Sequence, residues 1–120
     1  MIIINERLRN AILIALADKE TMSILDCAMI KSKSMTEIVR ETKIPQTSTF
    51  RKIKWLLDEG LLMVDSIVIT REGKKSSLFK SVLRSIDVRY DFGNLVEVDV
   101  IHNIDPTEKI AVKLFSLNSS

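Results

Sequence analysis

Apolar residues recur along this chain with two different periods, and the change falls at a glycine. Up to Gly60 they return every three or four positions, the spacing of one helix face. Beyond it they alternate with polar residues as in half-buried strands, and over the last fifteen residues the helical spacing returns. No internal repeat or low-complexity segment interrupts the pattern, and the connections are short.

The first helix is expected from about Asn5 to Ala17, with Asn5 as its cap and Leu8, Ala11, Ile12, Ala15 and Leu16 on one stripe. Leu13 and Ile14 widen that stripe beyond what a single small domain covers, which predicts burial of part of this helix against another chain. Asp18 is placed to cap a second helix, "KETMSILDCAMI", where Met22, Leu25, Ala28 and Met29 return at helical spacing and Asp26 is almost the sole polar interruption. It reads as the central core helix, with Cys27 as a small buried apolar residue.

A sharper signal follows. "SMTE" at 34–37 fits a capping box, in which the Ser34 hydroxyl accepts from the Glu37 backbone N–H while the Glu37 carboxylate reaches back to the Ser34 N–H. The helix it opens carries Met35, Ile38, Val39 and Thr42 on one side and ends near Lys43. Pro45 supplies a fixed φ suited to a first helical turn, so the next helix is expected from about Gln46 to Glu59, with Gly60 as its stop. A short capped helix, a tight turn and a second helix form a helix-turn-helix.

On the second of these helices Thr49, Ile53, Leu56 and Leu57 make the buried stripe, and Gln46, Thr47, Phe50, Arg51 and Lys54 lie roughly opposite. The outward side is amide, hydroxyl, aromatic and cation, with no acid between Gln46 and Leu57. Those groups suit a DNA major groove: Gln bonds adenine N6/N7, Arg grips guanine O6/N7, a ring edge meets a thymine methyl, and hydroxyls and Lys hold phosphates. The helix start adds free N–H groups and a partial positive charge for a phosphate oxygen. An ordinary solvated helix would more often carry Glu paired with Lys on that side.

Charge sharpens this reading more than composition does. A chain of 120 residues forms one domain, or one domain with appendages, and 46% hydrophobic with 28% charged residues is ordinary for a globular protein in water. A net charge of +2 names no partner, but residues 31–80 hold eleven cations against six acids, whereas 1–30 hold three against four and 81–120 four against six. Attraction for a polyanion is concentrated in the middle of the chain, the alternative being a solvated lysine face. The longest uncharged apolar run, "AILIALA" at 11–17, is too short to cross a bilayer, and "MIII" has neither the basic flank nor the cleavage site of a signal peptide. One cysteine makes no internal disulfide, so a cytoplasmic location without membrane association is expected.

Catalysis finds no support. There is no glycine-rich phosphate loop and no metal-spaced ligand set, and one histidine with three glycines leaves most enzyme templates unassembled. His102 reads as a hairpin-edge residue, and Asp58 with Glu59 as solvated surface; no cofactor and no metal are expected.

"SMTEIVRETKIPQTSTFRKIKWLLDEGLL" resembles the helix-turn-helix of winged-helix transcriptional regulators of the ArsR-like class, archaeal members especially. There a capped "s-x-x-E-I" helix leads to a "P-Q-S-T-V-Y-R-K-L" type recognition helix ending in "E-G-L". The likeness extends over about residues 18–102 and is tightest over 34–62. Three departures matter. Thr49 stands where the pattern has an aliphatic residue, which predicts a less firmly seated recognition helix. Trp55 takes a commonly charged surface position and is free to pack on a neighbouring element. The cysteine pair by which metal-sensing members bind their effector is missing from the recognition helix, so metal sensing at that site has no support.

The resemblance implies a β-hairpin wing after the recognition helix, and the residues agree: "LLMVDSIVIT" and "SSLFKSVL" are rich in apolar and β-branched residues, with "REGKKS" as the polar turn between them. Arg71, Lys74 and Lys75 at its tip are expected on phosphates or in an adjacent minor groove, a loop of solvated lysines being the alternative. In a second hairpin Ile86, Val88, Tyr90 and Phe92 alternate with charges on one strand, and Val96, Val98 and Val100 on the next. A two-residue loop at Gly93-Asn94 mixes the faces. A three-residue loop, Gly93 to Leu95, sets Phe92 against Val96, Tyr90 against Val98 and Arg89 against Asp99, so register favours it. This hairpin is expected to extend the wing sheet and cover the helical core. In the closing "DPTEKIAVKLFSLNSS", Asp105 as cap, Pro106 and Glu108 start a helix with Ile110, Leu114 and Leu117 on one stripe.

The expected architecture is α+β, a winged helix-turn-helix of three-helix core and β-hairpin wing, with a second hairpin and terminal helices for dimerisation. Residues 1–17 are assigned to an N-terminal dimerisation helix, 18–102 to the DNA-binding domain with an extended sheet, and 103–120 to a C-terminal helix and tail. Regulators of the resembled type are commonly homodimers, so the expected partners are double-stranded DNA and a second copy of the chain; no effector is assigned. The DNA-binding candidates are Thr36, Gln46, Thr47, Ser48, Phe50, Arg51 and Lys54 from the helix-turn-helix, with Arg71, Lys74 and Lys75 from the wing. The alternative is a winged-helix module that recognises a protein partner within a transcription or repair complex.

Overall fold

Residues 1–93 and 95–103 are described by the computed structural model of this chain; the helix expected from Asp105 lies outside the described residues. Asn5 opens α1 (Glu6–Ala17) as its spacing requires, its side chain accepting from the Leu8 N–H at 2.9 Å and satisfying one donor that a helix start leaves free. Ala11, Ile12 and Ala15 are buried, while Ile14 and Leu16 are exposed, so Leu16 falls outside the expected stripe.

α2 (Lys19–Cys27) ends earlier than the pattern predicts, and its inward line runs through Thr21, Ile24 and Leu25, continuing to Ala28. Met22 and Met29 are only half-buried. Thr21 belongs inside because its hydroxyl donates to the Asp18 carboxylate, which leaves no unsatisfied polar atom there. Asp18 occupies the N-cap position of α2, yet its side chain makes no capping bond and accepts instead from Thr21 and from the Lys52 ammonium.

The capping box forms as read. After β1 (Lys33–Ser34), the Glu37 N–H donates to Ser34 Oγ at 3.2 Å and the Ser34 N–H donates to Glu37 Oε1 at 3.1 Å, opening α3 (Met35–Thr42). That second bond is the main reason why the Glu37 carboxyl is held below its usual range. Pro45 stands at the N-cap of α4 (Gln46–Asp58) rather than inside its first turn, with a ψ of 141°, and its carbonyl accepts from the Thr49 N–H at 2.9 Å. Gly60, at a φ of 78°, ends the segment. Thr49 is fully buried beside Ile53 and Leu56, and its hydroxyl donates to the Pro45 carbonyl at 3.1 Å.

The strands after Gly60 are β2 (Leu62–Ile69), β3 (Lys75–Ser81), β4 (Leu83–Arg89) and β5 (Glu97–His102). β3 lies between β1 and β2 and is antiparallel to both; β2 and β3 form the wing. Val64 pairs with Phe79 and Ser66 with Leu78, so Asp65 is the extra residue of a bulge.

β4 and β5 form a separate two-stranded sheet, which corrects the expected extension of the wing sheet in the 18–102 domain. β3 already has a partner along each edge, and the chain bends after it: Ser81 is fully buried and its hydroxyl donates to the Leu83 carbonyl at 2.7 Å. The register is corrected as well. Ile86 pairs with Val100, Val88 with Val98 and Arg89 with Glu97, so Arg89 does not face Asp99 and the connection runs over 90–96. A slip of two residues leaves every side chain on its face, so apolar alternation could not separate the two registers. The base of the hairpin sets it instead. Asn103 donates from its N–H to the Val82 carbonyl at 2.8 Å, and from Nδ2 to Met29 O at 2.6 Å and Ser81 O at 3.1 Å.

The N-terminal residues pair along the other edge of β5, a role that their apolar run did not announce. The Ile3 N–H donates to Val98 O, and the Val100 N–H to Met1 O, both at 2.8 Å. Ile3, Ile12, Ile24, Ile38, Ile53, Leu56, Phe79, Val98 and Val100 belong to one buried cluster, so α1 and the second hairpin share the core of the helix-turn-helix. Helices around that core with a projecting β2–β3 hairpin make a winged-helix fold.

Candidate nucleic-acid interface

Successive turns of α4 present amide and hydroxyl, then aromatic and cationic groups outward. Gln46, Thr47, Phe50, Arg51 and Lys54 are all exposed, as the helical period requires once Thr49, Ile53 and Leu56 face the core; Ser48 is half-buried. Among the described residues neither Arg51, nor Lys54, nor Arg40 of α3 joins an ion pair. The acids of α3 are engaged elsewhere: Glu37 completes the capping box, and Glu41 sits 2.9 Å from Lys33 Nζ.

Lys52 is the cation of α4 that the fold removes from this surface. Its ammonium pairs with Asp18 and lies 3.7 Å from Glu20 Oε1, tying the middle of α4 to the start of α2. The bond from Lys52, and after it that from the Thr21 hydroxyl, hold the Asp18 carboxyl below its usual range. Trp55 leaves the outer surface too. Half-buried, it lines a groove against Arg7, Ala11 and Ile14 of α1, with Arg7 Nε 3.2 Å from Glu59 Oε2 across it.

Thr36 is exposed near the start of α3 and shares a cleft of about 370 Å³ with Met35, Val39, Arg40, Gln46 and Phe50. The structure thus brings three of the candidates, Thr36, Gln46 and Phe50, to one place. Arg40 is the cation that sequence reasoning missed. Its signal was present, since it follows Thr36 by one helical turn on the same face.

The wing tip is held by its own backbone. The Thr70 N–H donates to Lys74 O at 2.8 Å and the Gly73 N–H to Thr70 O at 2.9 Å, with Gly73 at a φ of 77°. Arg71, Lys74 and Lys75 are exposed there and form no ion pair among the described residues. Among those residues no helix is long and apolar enough to cross a membrane, and no three His, Cys, Asp or Glu side chains gather as a metal ion would need.

No protein-family model matches the chain, and no curated protein matches it. Among solved structures, HlyU from Vibrio cholerae N16961 is similar, with a TM-score of 0.51 and 17% sequence identity over 65% of this chain and 78% of that one. At that identity the likeness concerns the backbone path alone. The four helices and the antiparallel hairpins among the described residues agree with this likeness on one architecture, the winged-helix fold.

Proposed function

We propose that the protein is a transcription regulator of the ArsR-like winged-helix class that binds duplex DNA in a sequence-dependent way. α4 enters the major groove, with Gln46, Phe50 and Arg51 on base edges, while Thr36, Thr47, Ser48 and Lys54 hold the sugar-phosphate backbone. Arg71, Lys74 and Lys75 of the wing engage phosphates or an adjacent minor groove. The observation that carries this reading is the acid-free, exposed side of α4, whose Arg51 and Lys54 are bound to no carboxylate among the described residues. The winged-helix fold, shared with HlyU, supports it.

The protein acts in the cytoplasm as a homodimer whose two α4 helices meet successive major grooves of a near-palindromic site. Residues 1–17 contribute to the dimer contact; Ile14, 58% exposed on α1, supports this. Sedimentation at high micromolar concentration should give a dimer, and a monomer there counts against that part.

Selection from a random duplex library, followed by anisotropy titrations, tests the whole. Arg51→Ala should lose about 1–3 kcal/mol at one base position, whereas Lys74→Ala should weaken binding to every duplex alike. Two variants that bind all duplexes as the parent does would sink the reading. A second reading, a module for a protein partner in a transcription or repair complex, is favoured by the exposed Tyr90, Phe92 and Leu95 around the turn of the second hairpin. It predicts no affinity for duplex DNA at low salt.

A further inference from the structure

The cleft between α3 and α4 differs from the rest of the candidate surface because its lining is partly hydrocarbon. Met35 and Val39 stand one turn apart on α3, half-buried, and Gln46 and Phe50 stand one turn apart on α4, so two ridges flank a trough. Phe50 is 47% exposed and forms one wall; Thr36 and Arg40 complete the rim. Arg40 has no carboxylate partner among the described residues, so the rim carries a free positive charge suited to a polyanion.

Seen from the major groove, the bases of DNA present hydrogen-bond donors and acceptors, the flat C5–H of cytosine and one protruding apolar group, the C5-methyl of thymine. A donor or acceptor pressed against Met35, Val39 and Phe50 would lose its water without gaining a partner. A methyl group loses nothing there and gains apolar contact. Resting on the DNA-binding reading above, we propose that this cleft is a thymine-specific subsite. Met35, Val39 and Phe50 enclose the 5-methyl group of one thymine in each half-site, and Arg40 at the rim holds a neighbouring phosphate.

Deoxyuridine in place of thymidine removes that methyl and keeps every hydrogen-bonding group, so it is the discriminating probe. A duplex selected from a random library by the full chain is remade with each thymine replaced in turn, and both sets are titrated against the parent, Phe50→Ala and Val39→Thr. Val39→Thr nearly preserves shape while placing a hydroxyl on the trough wall. For the parent, one uracil position per half-site weakens binding roughly four-fold, the worth of one buried methyl. At that position both variants bind the thymine and uracil duplexes equally.

If the parent binds its selected duplex but no uracil substitution weakens it, the subsite is overturned and the DNA-binding reading stands. Methyl sensitivity that survives in both variants overturns it as well, placing the contact elsewhere. So does a loss of self-association in Phe50→Ala without any methyl effect, which assigns the cleft to a contact between copies. Failure of the parent to bind any duplex at low salt overturns the subsite and the DNA-binding reading together.

Discussion

The two hairpins among the described residues are both built from strands that mix apolar, β-branched and polar residues, and they serve opposite ends. In the wing, every residue from Val64 to Ile69 is exposed, and the tip carries Arg71, Lys74 and Lys75. The second hairpin sends Leu83, Val98 and Val100 into the core, and its turn carries Tyr90, Phe92 and Leu95. Strand-forming composition therefore identifies a strand without saying whether its apolar residues will be covered. A two-stranded hairpin is marginal alone, so β4–β5 exists because the helices cover it, whereas the wing is held at its base by β1 and by Phe79. Ile67 and Ile69 stay exposed on the wing.

Three experiments can break or sharpen this contrast. The largest effect is expected in the core. Val98→Ala removes two methyl groups from a residue with no exposure and should cost about 2 kcal/mol in a denaturant melt, whereas Ile69→Ala, at a position 73% exposed, should stay within about 0.5 kcal/mol. Equal losses would erase the distinction. A smaller effect is expected from Gly73→Ala. A Cβ there meets nothing within 4 Å, so only the φ of 77° penalises it, by about 1 kcal/mol. Amide exchange near the wing tip should quicken while that of Val98 and Val100 does not change; a matching rise in both would show one cooperative unit.

The smallest effect concerns charge. Lys74→Ala and Lys75→Ala should each reduce the salt slope of duplex binding by about 0.9, which amounts to roughly a 3.5-fold smaller loss of affinity between 50 and 200 mM salt. Tyr90→Ala and Phe92→Ala should leave that slope alone. The opposite result would assign the nucleic-acid contact to the second hairpin.

The helix-turn-helix was legible because its determinants are local. Ser34 and Glu37 are three residues apart, Pro45 and Gly60 bracket α4, and one helical period separates Thr49, Ile53 and Leu56 from Gln46, Phe50 and Arg51. The cleft was not legible as a site, since Met35 and Val39 become its wall only when α3 packs on α4. Nor was the fate of Lys52. It shares a sequence run with Arg51 and Lys54, yet Asp18, 34 residues away, takes it off the outer surface.

The chain by itself determined what one turn of helix or two strand positions can encode: the caps, the inward and outward sides of α4, the polar wing turn and the strand character of residues 62–102. Tertiary structure alone decided that β4–β5 leaves the wing sheet, that its pairs are Ile86–Val100 and Val88–Val98, and that residues 1–3 line the edge of β5. The reason is that periodicity is blind to a shift by a whole period. Such choices fall to contacts between distant residues, here the bend at Ser81 and the bonds of Asn103 that anchor the hairpin at its base.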